Sequence, residues 1–286
     1  MKNAKTLIVL MLLIAVLLLA FFLLKSGILD KPREQSQKIA EEVTVYAFEN
    51  PPLSMICESS GKALSFKGGA KWESLNDPRY PISPETLGKM ASFLSKITAT
   101  RILPEDCDSS LFGLEAPVCA VTFSLSADIP PKKLIFGNKN TATTDYYARL
   151  DGDGKIFTVK AENAEIFMQD ILSYVDIPEI PDFETAAVRG FSLNGKKSEP
   201  DDKLISRLNS FYLSSVADPF TENLAQYGLD SPAFELTVND FTLKIGNFAG
   251  ERYYYAETSI HPGTVYRAFE MAVEPLLNYG GSYETR

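Results

Sequence analysis

The chain has 286 residues, a net charge of −9, 45% hydrophobic residues and 11% aromatic residues. That apolar content supports a real core and excludes an intrinsically disordered chain. The acidic balance argues against nucleic acid as a partner and against a polybasic lipid-binding face, and the length admits one large domain or two ordinary ones.

Residues 1–5 form a short head with Lys2 and Lys5. Residues 6–24 read as a transmembrane anchor that partners the bilayer. From Leu7 to Leu24 no side chain is charged or polar, and such a helix rises about 27 Å, close to the thickness of a bilayer's hydrocarbon core. A cleaved signal peptide fits less well, because the run is long and no small-x-small site follows it. Lipoprotein processing is set aside because the first cysteine is Cys57. Lys2, Lys5 and the amino terminus oppose Lys25, Lys31 and Arg33, so charge leaves orientation nearly balanced. A short head before a long body favours an extracytoplasmic body. Residues 25–42 read as a polar tether.

The folded part divides into two copies, 43–181 and 182–286. Strands are expected over Val43–Phe48, Ser54–Glu58 and Ala63–Phe66. Trp72, the only tryptophan, follows a Gly68-Gly69 turn. Ser83-Pro84 opens a helix whose Leu87, Met90, Ala91, Leu94 and Ile97 share one face. The stretch Phe112-Gly113-Leu114-Glu115-Ala116-Pro117 then recurs as Tyr227-Gly228-Leu229-Asp230-Ser231-Pro232. Such self-similarity decides how the chain is read. The glycine suits a turn of positive φ, and the proline suits the start of a strand.

After Pro117 the apolar residues alternate at Cys119, Val121, Phe123 and Leu125; after Pro232 they do so at Phe234, Leu236 and Val238. Both runs have the period of half-buried strands. Leu134–Asn138 and Leu243–Asn247 follow, each read as a short strand ending in a turn. Tyr146-Tyr147-Ala148-Arg149 matches Tyr254-Tyr255-Ala256-Glu257, and Ile156–Val159 matches Val265–Ala268. A helix follows each meander: one capped by Asn163, with Phe167, Ile171 and Tyr174 inward, the other over Met271–Leu277. Ile177-Pro178-Glu179-Ile180-Pro181 is a stiff connector. The second copy opens with a strand over Ala187–Leu193 and an Asn194-Gly195 turn. A helix from Asp201-Asp202 places Leu204, Ile205, Leu208, Phe211 and Tyr212 on one face, with Leu213-Ser214 in the place of Leu94-Ser95. The expected class is α+β: an N-terminal transmembrane helix followed by two tandem copies of an antiparallel-sheet-plus-helices unit.

Candidate chemistry is sparse. Asp151-Gly152-Asp153-Gly154 resembles the start of a calcium loop, but Lys155 and Ile156 stand where an oxygen ligand and a glycine are needed. A hairpin turn explains it better. His261 is the only histidine, which excludes a multi-histidine metal site, and His261-Pro262-Gly263 reads as an exposed turn. No residue set calls for a metal or cofactor. Cys119 belongs to a core face, while Cys57 and Cys107 leave one disulfide open. Glu115 and Asp230 are either turn-capping groups or a carboxylate pair placed by pseudo-symmetry; the capping reading is the commoner one. Tyr146, Tyr147, Tyr254 and Tyr255 are strand residues whose outward members offer a binding patch.

In their order along the chain, Trp72, Pro81 or Pro84, the helix through Leu94, Arg101-Ile102-Leu103, Phe112-Gly113-Leu114 with Pro117, Phe136-Gly137 and Tyr147-Ala148-Arg149 resemble a bacterial family, domain of unknown function 4340. The resemblance covers most of residues 70–270. It implies one N-terminal membrane helix and genes often set beside ABC-type transporter components of the gliding-motility kind. It brings no activity and no catalytic residues. The expected function is a non-enzymatic, extracytoplasmic binding or scaffolding protein, an accessory of such transporter subunits. The rivals are an envelope hydrolase using Glu115 and Asp230 on glycans or peptides, and a small-molecule binder between the copies.

Overall fold

The computed structural model describes residues 42–69, 71–197 and 199–279. The segment 6–24 and most of the tether lie outside the described residues. Among the described residues no helix is long and apolar enough to cross a membrane.

The expected α+β class is corrected here. Among the described residues seventeen strands form three sheets, and the four α-helices span only 5 to 12 residues each. The fold is mostly β. Helix-like apolar spacing was over-read: Ile97 is fully buried, but on strand β5 (Lys96–Ala99), where it and Ala99 alternate with Thr98. β5 pairs with β1 (Val43–Ala47) in a two-stranded sheet of its own.

The first large sheet is antiparallel and has eight strands. Its members are β2 (Ser54–Ser59), β3 (Lys62–Lys67), β4 (Glu73–Ser74), β6 (Arg101–Ile102), β7 (Cys119–Ser124), β8 (Lys132–Lys139), β9 (Tyr146–Leu150) and β10 (Ile156–Val159), in the spatial order β4-β3-β2-β7-β8-β9-β10-β6. The second sheet has seven: β11 (Phe191–Leu193), β12 (Lys196–Lys197), β13 (Ser215–Asp218), β14 (Phe234–Val238), β15 (Phe241–Gly250), β16 (Tyr253–Thr258) and β17 (Val265–Phe269). Their order, β12-β11-β14-β15-β16-β17-β13, is that of the first sheet without β4. Register agrees as well. Cys119 faces Phe136 and Phe136 faces Ala148, as Phe234 faces Ile245 and Ile245 faces Ala256.

Two helices cover the inner face of each sheet. α1 (Pro84–Ser95) is capped by the Ser83 hydroxyl, which accepts from the Thr86 N–H at 3.3 Å, and it buries Leu87, Met90 and Leu94. Each such side chain contributes about 1.5–3 kcal/mol when fully buried. α2 (Ala161–Glu165) has Lys160 at its start, with Asn163 inside it and not capping it. α3 (Asp202–Asn209) is capped by Asp201, which accepts from Leu204 N–H at 2.9 Å. α4 spans Glu270–Leu277. Thr100 donates to Thr158 and Ser214 to Arg267, each at the start of the outermost strand. Ser214 therefore matches Thr100, and Leu208 on α3 matches Leu94. The expected pairing of Leu94-Ser95 with Leu213-Ser214 was five residues out; residues 210–213 stand in the place of β5 but form no strand. Tyr212 is exposed, off the buried face of α3.

The two cores are joined by a short 3-10 helix, Ile171–Tyr174. Ile171 and Tyr174 pack against the first core, while Leu172 and the next residue, Val175, pack against the second. Tyr174 is fully buried, its ring lies 5.2 Å from that of Phe66, and its hydroxyl donates to the Ile166 carbonyl at 2.6 Å. Beyond it, Asp176 N–H donates to Pro81, and the Asp176 carbonyl accepts from the Tyr266 hydroxyl at 3.1 Å.

Candidate functional site

The repeated stretch folds into the same clasp on the outer face of each sheet. A 3-10 turn, Ser109–Phe112 or Leu224–Tyr227, ends at Gly113 or Gly228, with φ of 73° and 70°. A Cβ on either glycine would stand 2.4 Å from the side-chain oxygen of Asn138 or Asn247. A Cβ on Gly137 or Gly246 would stand 2.2 Å from the carbonyl oxygen of Phe112 or Tyr227. Only glycine fits either place. The expected turn after Phe136 and Ile245 is therefore absent: both glycines lie inside the long strands β8 and β15, thinned so that the clasp can close on them.

The clasp buries Leu114 and Leu229 and engages two of the tyrosines. Phe112 packs on Tyr147 with ring centroids 4.6 Å apart, and Tyr227 on Tyr255 at 4.9 Å. The Tyr227 hydroxyl donates to Asp218 at 2.8 Å; burial first, and then this carboxylate, push its pKa up to about 12. Tyr146 and Tyr254 turn to the other face and pack against the two cores. The Tyr146 hydroxyl reaches Glu165 at 3.2 Å. Pro117 and Pro232 stand just before β7 and β14. Trp72 packs against the first core with its ring over Gly68, where a Cβ would lie 3.1 Å from it.

Glu115 and Asp230 are both exposed. Glu115 accepts from the Ser109 hydroxyl at 2.5 Å and lies 3.8 Å from Arg149. The Asp151–Gly154 stretch is a hairpin turn between β9 and β10, in which Asp153 accepts from the Tyr46 hydroxyl and from Lys155 N–H. Among the described residues no group of three or more His, Cys, Asp or Glu is placed to hold a metal.

Sequence reasoning missed two polar contacts. His261 Nε2 lies 2.9 Å from Asp176, so the turn that carries it ties the second sheet to the connector. Glu257, only 6% exposed, accepts from Gly263 N–H at 2.9 Å and lies 3.4 Å from Lys244 across the strand pair. No motif marks either one: the first joins a turn to the distant connector, and the second follows from the register of β15 on β16.

All three cysteines are free. Cys57 and Cys119 lie in the first core, while Cys107 packs in the cluster around Leu114. Loss of hydration raises the Cys57 thiol far above its ordinary range and pushes Cys119 up to about 12. Burial raises the Tyr174 and Tyr266 phenols in the same direction. The folded state thus keeps protons that the unfolded chain releases. Stability should be complete below the ordinary thiol value of 9.0 and decline as pH rises from there toward about 12. Denaturant midpoints measured from pH 7 to 11 test this, and a flat profile would refute it. Alkylation of the folded protein should modify Cys107 well before Cys57 and Cys119.

The fold and clasps define a duplicated antiparallel sheet protein with one locked turn per copy. The family model described as Domain of unknown function (DUF4340) matches residues 72–203 and again residues 202–279. The chain belongs to that family. The comparison with curated proteins gives no match, and no solved structure matches.

Proposed function

We propose that this chain is a non-enzymatic binding or scaffolding protein attached to the membrane through the apolar segment 6–24. Its sheets stand outside the cytoplasm, where it serves as an accessory of an ABC-type transport complex of the gliding-motility kind. The observation that carries the choice of binder over hydrolase is the state of the repeated acid. Glu115 is held by Ser109 and Arg149 beside its own turn. A carboxylate general acid or nucleophile works from a shared cleft at fixed distance from its partner, not from an exposed turn. The transporter partner is motivated by the family resemblance and by the apolar segment. The test is affinity isolation of the tagged full-length chain from gently solubilised membranes. Recovery of transporter subunits in constant ratio is expected, and a monomer without partners would overturn the reading.

A further inference from the structure

Both sheets end alike in backbone, yet at one end they differ in chemistry. Lys139 faces Tyr146 across β8 and β9, as Phe248 faces Tyr254 across β15 and β16. Val159 faces Tyr146 as Ala268 faces Tyr254. Lys139 therefore holds the place of Phe248, Lys160 that of Phe269, Glu162 that of Met271 and Asp145 that of Tyr253. All four residues of the first copy are charged. Lys139 lies 2.7 Å from Glu165, and Lys160 lies 4.0 Å from Glu162. All four residues of the second copy are large and apolar or aromatic, with Phe248 55% and Met271 66% exposed. Tyr212, 52% exposed, comes two residues before Ser214, whose N–H donates to the Arg267 carbonyl at this same end. Grouped apolar side chains on a surface mark contact sites, and aromatic residues and methionine are enriched there.

The end is also held stiff against local preference. The hairpin between β15 and β16 turns through Glu251 and Arg252 at φ of 50° and 71°. L side chains avoid this region, and Asn-Gly would occupy it with less strain. Arg252 clamps the turn: its Nε lies 3.0 Å from Glu270, its guanidinium 5.1 Å from the Phe269 ring, and its carbonyl accepts from Glu270 N–H at 2.8 Å. Phe248 packs edge-on to Tyr254, and Tyr253 to Phe269. Strain kept in place by dedicated contacts points to use.

We propose that this end of the second sheet is a protein-docking tip and that its partner presents an apolar pocket with a basic rim. The tip is a hairpin turn with Phe248 exposed beside it, so the receptor is a pocket that takes Phe248 as the anchor. Charge selects the rim: Arg252 and Glu270 offset each other as an ion pair, while Glu251 in the turn and Glu274 beside Tyr254 add negative charge, and the chain as a whole carries −9. The proposal rests on the binding-module reading above and names its surface.

The test places a photo-crosslinking phenylalanine at position 248 of the full-length chain in its own membrane, with position 140 at the matching end of the first sheet as control. A single protein adduct is expected from 248 and none from 140. Its crosslinked peptide should carry lysine or arginine beside apolar residues. Tyr212→Ser with Met271→Ser should cut the adduct about tenfold at unchanged melting temperature, since both side chains are exposed. No adduct, an adduct to lipid or to a second copy of this chain, or one to an acidic peptide would each overturn the proposal. Should the adduct form while affinity isolation finds no transporter subunit, the tip stands and the transport role falls. Transporter recovery undiminished by Phe248→Ser would do the reverse.

Discussion

Gly246→Ala, or Gly137→Ala at the matching place, is expected to lower stability by about 3 kcal/mol or more. For a body of this size that is a fall of about 6–12 °C in melting temperature. The new methyl group would lie 2.2 Å from a backbone carbonyl, Tyr227 in one copy and Phe112 in the other. A carbonyl inside a capped turn cannot swing aside as the end of a long side chain does. The clasp must open, exposing Leu229, which is fully buried, and parting Tyr227 from Tyr255. Gly88→Ala is the control. Gly88 lies inside α1 with nothing within 4 Å of a Cβ, so alanine there should raise stability by about 0.4–1 kcal/mol. A Gly246→Ala protein that melts with the wild type would show that the clasp is not held by this contact.

Tyr174→Ala should cost about 3–5 kcal/mol, the range for removing a large buried ring. Tyr174→Phe should cost only about 1 kcal/mol, for the lost hydrogen bond to Ile166. The alanine variant also loosens the 3-10 helix that carries Leu172 and Val175 into the other core. Amide hydrogen exchange should therefore quicken in β13 and β17 of the second sheet as well as in β2 and β3 of the first. Faster exchange confined to the first sheet would mean that the two cores open independently.

Alternation made the central strands readable. Cys119, Val121 and Phe123 in one copy and Phe234, Leu236 and Val238 in the other are buried as their spacing predicts. Ser83 and Asp201 mark the starts of their helices because a side-chain oxygen there answers an unpaired N–H, which is local chemistry. Fold class was misjudged because helix-like spacing ran past the real helix ends. Lys96–Ala99 was absorbed into α1, although a partner strand fifty residues upstream made it a strand. Gly137 and Gly246 looked like turn residues because the carbonyl that requires them comes from a distant segment. The four tyrosines were legible as strand residues, but not which of them the clasp rings would engage. Nor was the contrast of Lys139 with Phe248 visible, since the residues correspond only once the hairpins are in register.

The prolines after Ile177 suggest a natural place to divide the protein, yet the 3-10 helix before them already belongs to both halves. Severing the chain at residue 181 would leave the downstream fragment without Leu172 and Val175, which its own interior requires. The duplicated gene segment and the unit that folds therefore have different borders. A tug on one half passes to the other through packed side chains, with no slack of a flexible linker to absorb it.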